Sequence, residues 1–259
     1  MNLFKIIRDI EQVDPQVYER LNSRRSAFSL VGKAALAAVP LALGSVFQKA
    51  YAGKTTDAVA DVLNFALLLE YLEDEFYRTG LAVAGLIPAE NRTGFAQISK
   101  HETQHVAFLK GALGAAAIDK PEFDFTAKGN FNDVFSNYAT FAAVAQVLED
   151  TGVRAYKGQA GNLLGTDTLT AALQIHSVEA RHASFVRRLR GQKGWIVGND
   201  GGAVLAAATA NYAGGENTTQ GGLDKAAFAA AYSDATVSEA FDEILTEDQV
   251  IAIVTPFLQ

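Results

Sequence analysis

Glu70 is followed seven residues later by Tyr77, and Glu102 three residues later by His105; Glu149 with Tyr156 and Glu179 with His182 repeat both spacings. The chain holds no cysteine, so any metal must be held by His, Asp or Glu, and the histidines are only His101, His105, His176 and His182. Positions i, i+3 and i+7 share one face of a helix. Glu70 then lines up with Val59, Leu63, Ala66 and Tyr77, and Glu102 with Ile98, His105 and Leu109. Glu149 falls in line with Ala142, Ala145 and Tyr156, and Glu179 with Ile175, His182 and Val186. Each carboxylate sits in an apolar stripe that should turn inward. Burying one unpaired carboxylate costs several kcal/mol, so four of them require compensation. Two divalent cations bring four positive charges, and with both histidines neutral the count closes. Charge counting therefore predicts two metal ions.

Four long helices must carry these residues. Asp57 to Thr79 is rich in Ala, Leu and Glu, with Gly80 as its expected C-cap. Pro88 opens a second segment reaching about Ala117. The third is expected over Phe131–Gly161 and the fourth over Asp167–Arg190, with the connection Ile118–Asn130 too long for a tight turn. A short, a long and a short link make an all-α fold, a four-helix bundle with one long crossover, over residues 53–192. The Gly-, Ala- and Asn-rich stretch 191–236 should loop over the surface. Short helices at Val237–Leu245 and Glu247–Leu258 complete a C-terminal extension, residues 193–259, packed on the bundle.

The 259 residues are 49% hydrophobic and 20% charged, which excludes a disordered or low-complexity chain. A formal charge of −7 argues against a nucleic-acid partner. Residues 1–52 differ from the rest, with seven Lys or Arg against four Asp or Glu. Arg24-Arg25 precedes an uncharged run, Ala34–Phe47, which closes at Ala50-Tyr51-Ala52. The paired arginines resemble a twin-arginine export signal, with a mature chain starting near Gly53. The expected location is periplasmic or extracellular, or cytoplasmic if the leader is retained. The run is too short to span a bilayer, and no membrane span is expected in the mature chain.

The paired Glu and Glu-x-x-His pattern resembles the ferritin-like di-iron/di-manganese carboxylate superfamily over about residues 55–192. The wording around the ligands, NFALLLEYLEDEFY (Asn64–Tyr77) and QVLEDTGVRAY (Gln146–Tyr156), with the later Glu239–Glu243 stretch, is similar to exported ferritin-like proteins related to plant desiccation-induced proteins. This resemblance implies that Glu102 and Glu179 bridge two ions, Fe or Mn. Glu70 and Glu149 would then cap them, and His105 and His182 would give one nitrogen each. It also puts Tyr77 and Tyr156 where related proteins often carry a redox-active or supporting tyrosine.

Other residues read more plainly. Glu73 and Glu75 have no counterparts, since Gly152 and Arg154 occupy the equivalent offsets, and both read as surface charges, with Glu73 the chief competitor of Glu70. Asp74 and Asp150 read as helix-surface charges, and Arg187 as a favourable charge at a helix end. His101 is either solvent-facing or placed behind the site, and His176 either hydrogen-bonds a ligand or is a satisfied core histidine. Two functional classes remain. One is an oxidoreductase whose metal pair reacts with oxygen or peroxide, as a ferroxidase, peroxidase or catalase-like protein. The other is a stress-associated structural or interaction protein with a structural or vestigial metal site. A homo-oligomer is compatible with the sequence, whereas the C-terminal extension speaks against a storage cage.

Overall fold

The computed structural model describes residues 58–202 and 206–259, with side chains of 206 and 207 excepted. The basic leader and the expected start near Gly53 lie outside the described residues. Four long helices dominate: α1 (Ala58–Ala82), α2 (Ala89–Leu113), α3 (Tyr138–Gln159) and α4 (Thr168–Leu189). Three short ones follow, α5 (Lys225–Phe228), α6 (Asp234–Ser238) and α7 (Glu247–Val254). No strand occurs among the described residues, which contain only isolated bridges, and no described helix is long and apolar enough to cross a membrane.

Helix α1 packs chiefly on α2, and α3 on α4, with α1 and α3 meeting between the two hairpins. The boundaries depart from expectation where packing decides. Gly80 lies inside α1, not at its end; a Cβ there would come within 2.3 Å of the Phe141 ring, so its role is close approach to α3. Helix α3 starts at Tyr138 rather than Phe131, because the Asn137 side chain accepts a hydrogen bond from the Ala139 N–H and caps it. The 131–136 stretch forms turns instead.

The two hairpins are not amphipathic in the same way. From Val62 to Tyr77 every residue of α1 except Glu75 is buried, and so is every residue of α3 from Phe141 to Tyr156. A helix buried all round needs cover on both faces. The crossover covers α1: Asn64 donates to the Ala116 carbonyl and accepts from the Ile118 N–H, and Phe76 packs on Phe125 and Phe135. The C-terminal extension covers α3. The buried Arg154 guanidinium donates to the carbonyls of Asn211, Ala213 and Glu243, and the Leu245 N–H donates to the Arg154 carbonyl. Stretch 191–236 thus does more than loop over the surface, since Ala208, Asn211 and Tyr212 are buried in this layer. Helix α7 closes the chain with a capping box between Thr246 and Gln249.

Candidate metal centre

All six donor residues meet inside the bundle, one glutamate from each long helix and one histidine each from α2 and α4. Glu70, Glu102, Glu149 and Glu179 are fully buried, as is most of His182, and the His105 side chain is 11% exposed. Their donor atoms form two overlapping sets, Glu70–Glu102–His105–Glu179 and Glu102–Glu149–Glu179–His182, each with atoms within 4.8 Å of one another. His105 Nδ1 lies 3.2 Å from Glu70 Oε2, 3.1 Å from Glu102 Oε2 and 3.2 Å from Glu179 Oε1. His182 Nδ1 lies 2.9 Å from Glu102 Oε1, 3.3 Å from Glu149 Oε2 and 3.8 Å from Glu179 Oε1. Glu102 therefore turns one oxygen to each histidine.

The tyrosines cross between the hairpins. Tyr77 on α1 donates to Glu149 Oε1 on α3 at 2.5 Å, and Tyr156 on α3 donates to Glu70 Oε1 on α1 at 2.5 Å. Each hydroxyl takes one oxygen of a capping glutamate and leaves the other to face inward. Aromatic rings pack around Tyr77, with Phe76 and Phe141 edge-on to its ring and Phe95 tilted against it. On the Tyr156 side a small apolar cavity is lined by Leu63, Ala66, Leu69, Leu109 and Ile175.

Whether such a set suits cations can be tested on what its atoms lack. Glu102 Oε1, Glu149 Oε2, both oxygens of Glu179 and His182 Nδ1 are buried with no hydrogen-bond partner. The short approach of His182 Nδ1 to Glu102 is thus off the direction of a hydrogen bond. Five unpartnered donor atoms in a sealed core are costly by themselves, on the order of 1–3 kcal/mol each, and cations would satisfy them together. The donor set could hold metal ions.

Without metal, protons take on part of that role. Burial raises the pKa of Glu102 to about 7; the nearby His105 and His182 pull it down, while Glu70 and Glu149 push it up. Glu179 is held well above the usual carboxylate range by burial and by Glu102 and Glu70. Burial works against a charge on His182, yet Glu149, Glu102 and Glu179 outweigh it and lift its pKa to about 11. His105 is raised in the same way, the nearby Glu102, Glu179 and Glu70 overcoming burial. Burial and the neighbouring glutamates also push both tyrosine hydroxyls well up, so they stay protonated donors.

Five residues outside the sequence-derived set belong to this region, and three overturn the plain readings above. Glu73 is no surface charge: it is 3% exposed, and burial with Glu179, Glu149, Glu102 and Glu70 raises its pKa well above normal. Asp150 is no surface charge either; it forms a buried bidentate pair at 2.9 and 2.6 Å with Arg187, which lies in the last turn of α4 as expected, and Asp150 Oδ2 also accepts from Tyr212. Asp74 is buried and accepts from Thr103 at 2.6 Å. His101 stands behind the site, its Nδ1 2.8 Å from His182 Nε2 and its ring stacked on that of His182. His176 serves no ligand, since its Nδ1 donates to the Val153 carbonyl at 3.1 Å. The sequence held one signal for Glu73. A glycine at the matching offset of a buried helix, Gly152, leaves room for a side chain from elsewhere.

Proton counting fixes the direction of the His101 chain. A metal on His182 Nδ1, or a proton there, leaves Nε2–H to donate to His101 Nδ1. His101 is kept neutral, its pKa lowered by burial and by the positive histidines beside it. Its proton then sits on Nε2, 2.7 Å from the Gln97 amide nitrogen, and Gln97 accepts it once that amide is turned end for end. Both states of the site use the same chain, which holds the His182 ring in one orientation.

No curated protein matches the chain. A family model for the ferritin-like domain matches residues 58–192, a stretch that contains all four long helices and all six donors. The chain belongs to the ferritin-like domain family.

Proposed function

We propose that this protein is a dinuclear carboxylate oxidoreductase whose two metal ions, Fe or Mn, react with oxygen or peroxide in protection against oxidative or drying stress. The observation that carries this reading is the set of five unpartnered donor atoms inside a sealed bundle, arranged in two overlapping four-residue sets. Oxygen-rich ligands with one imidazole per ion suit Fe and Mn. Bound in this core, such ions supply the electrons or the Lewis acidity for oxygen or peroxide chemistry. The rest falls to the chain. Glu102 and Glu179 hold the two positions at a common spacing, while Glu70 and Glu149 each keep one oxygen on a tyrosine hydroxyl. Tyr77 and Tyr156 carry protons within 2.5 Å of those oxygens, and are placed to donate as charge builds up on the site. The apolar layers at both ends exclude water, which strengthens every charge interaction inside. Similarity of the ligand segments to exported, desiccation-related proteins supports a role outside the cytoplasm.

The test is elemental analysis of protein purified without added metal, followed by oxygen and peroxide consumption. About two Fe or Mn per chain with consumption of either oxidant is the expected result. Two ions bound with neither oxidant consumed would instead favour the non-catalytic reading, in which metal only stabilises the fold.

A further inference from the structure

The two hairpins repeat each other closely at the site, and the repeat is broken where Glu73 faces Gly152. Glu73 lies three residues after Glu70, and Gly152 lies three after Glu149. A Cβ built on Gly152 would sit 3.3 Å from Glu73 Oε1 and 3.2 Å from Glu179 Oε2. Two carboxylates from α1 and α4 thus lean over one glycine of α3. Both belong to buried side chains, and Glu179 Oε2 has no hydrogen-bond partner. Glu102 and Glu179 also differ. Glu102 divides its oxygens between the two histidines, but Glu179 turns Oε1 toward both and sends Oε2 to the Gly152 side.

We propose that Glu73 is a fifth carboxylate of the metal centre, binding the ion held by Glu149, Glu179 and His182 through the space that Gly152 leaves open. This rests on the dinuclear reading above and gives the two ions unequal surroundings. Glu73 stands outside the two four-residue donor sets, and the side it would join is given by Gly152, which is one helical turn from Glu149 on α3 and toward which Glu179 Oε2 points. Gly152 is then a ligand-fitting residue without a donor atom. An alanine methyl there would stand closer to both oxygens than ordinary van der Waals contact allows.

The full chain, stripped with a chelator, is titrated with Co(II) alone, and bound cobalt is read by its visible absorption, which intensifies as coordination number falls. Wild type should bind two Co(II). E73Q should weaken one of the two by at least about 10–100-fold, the loss usual even for groups that merely support a ligand, and should intensify the spectrum. G152A should act in the same direction with every donor atom still present. E75Q is the control, because Glu75 is half-buried at the surface beside Lys120. Should E73Q fail to fold, G152A carries the test. Folded variants that bind two Co(II) with wild-type affinity and spectrum overturn the assignment of Glu73 and leave the dinuclear centre standing. A wild-type chain that binds no Co(II) overturns both.

Discussion

Loading the site with metal should release protons in a number that the structure sets. At pH 7 the metal-free centre holds a proton on His105 and on His182, both raised far above the usual histidine value. Glu102, at about 7, is half protonated, and Glu179 is raised in the same direction. These groups must be deprotonated to bind, so loading two ions should release at least about 2–3 protons. The same residues with ordinary pKa values would release only about 0.5, the residual charge of two histidines at pH 7. The two figures differ several-fold and are easily told apart. Each released proton makes affinity rise tenfold per pH unit, or about 1.4 kcal/mol, so binding of the pair should strengthen by at least about 3–4 kcal/mol from pH 6.5 to 7.5. The assay is a pH-stat titration of chelator-stripped protein with Co(II) in unbuffered salt. Release of fewer than about 1 proton per two ions would mean that the buried cluster does not hold the protons assigned to it, and would refute the reasoning.

Metal-free protein should be less stable at pH 7.5 than at pH 5.5. The folded pKa values of Glu102, Glu179, His105 and His182 are all raised, so their stabilisation is present below the unfolded values and is lost as pH rises toward the folded ones. Glu102 alone is worth on the order of 3–4 kcal/mol between its ordinary value and about 7; melting curves with chelator that are flat or rise with pH would contradict this. Tyr77→Phe and Tyr156→Phe should each destabilise by about 1.5–3 kcal/mol, because each removes a hydrogen bond to a buried carboxylate. Their near-equal effect in denaturant unfolding is the check on the repeat. Asp150→Asn leaves Arg187 buried without its partner and should cost about 3–5 kcal/mol, lowering the melting temperature without changing Co(II) stoichiometry.

Much of the site was legible because its spacing is helical and its chemistry is local. Glu70 with Tyr77 and Glu102 with His105 fall on single helical faces, so a period of 3.6 places them without knowledge of the fold. Glu73 was misread because it turns inside the bundle toward Gly152, Asp74 because it meets Thr103 of α2, and Asp150 because its face of α3 is covered. In a simple bundle each helix has one wet face. Here the crossover lies over α1 and the C-terminal extension over α3, so those faces are dry. That cover comes from residues 50–90 positions away in the chain, in segments with no periodicity to read. One trace was present. The stretch Val62–Leu72 carries a single charge, Glu70, and a helix so apolar all round cannot border solvent. The start of α3 was misplaced because Phe131 and Val134 are core residues of the turns before it, and apolar spacing alone does not separate such turns from a helix.

Two departures from the internal repeat fall on the same metal set. Val178 occupies the position that His101 holds before Glu102, and Gly152 the position that Glu73 holds after Glu70. Yet His101 crosses to the other hairpin to hold His182, and Glu73 crosses toward Gly152 on α3. Both extra residues are carried by the first hairpin, α1 with α2, and both reach across to the second. A site that only staples four helices gains nothing from unequal ions; two identical sets would hold the bundle equally well. A fifth buried carboxylate adds desolvation cost and like-charge repulsion, which a purely structural site would be better without. A centre that must bind an oxidant at one ion while the other stays closed does gain from the difference. The asymmetry therefore favours chemistry over stapling.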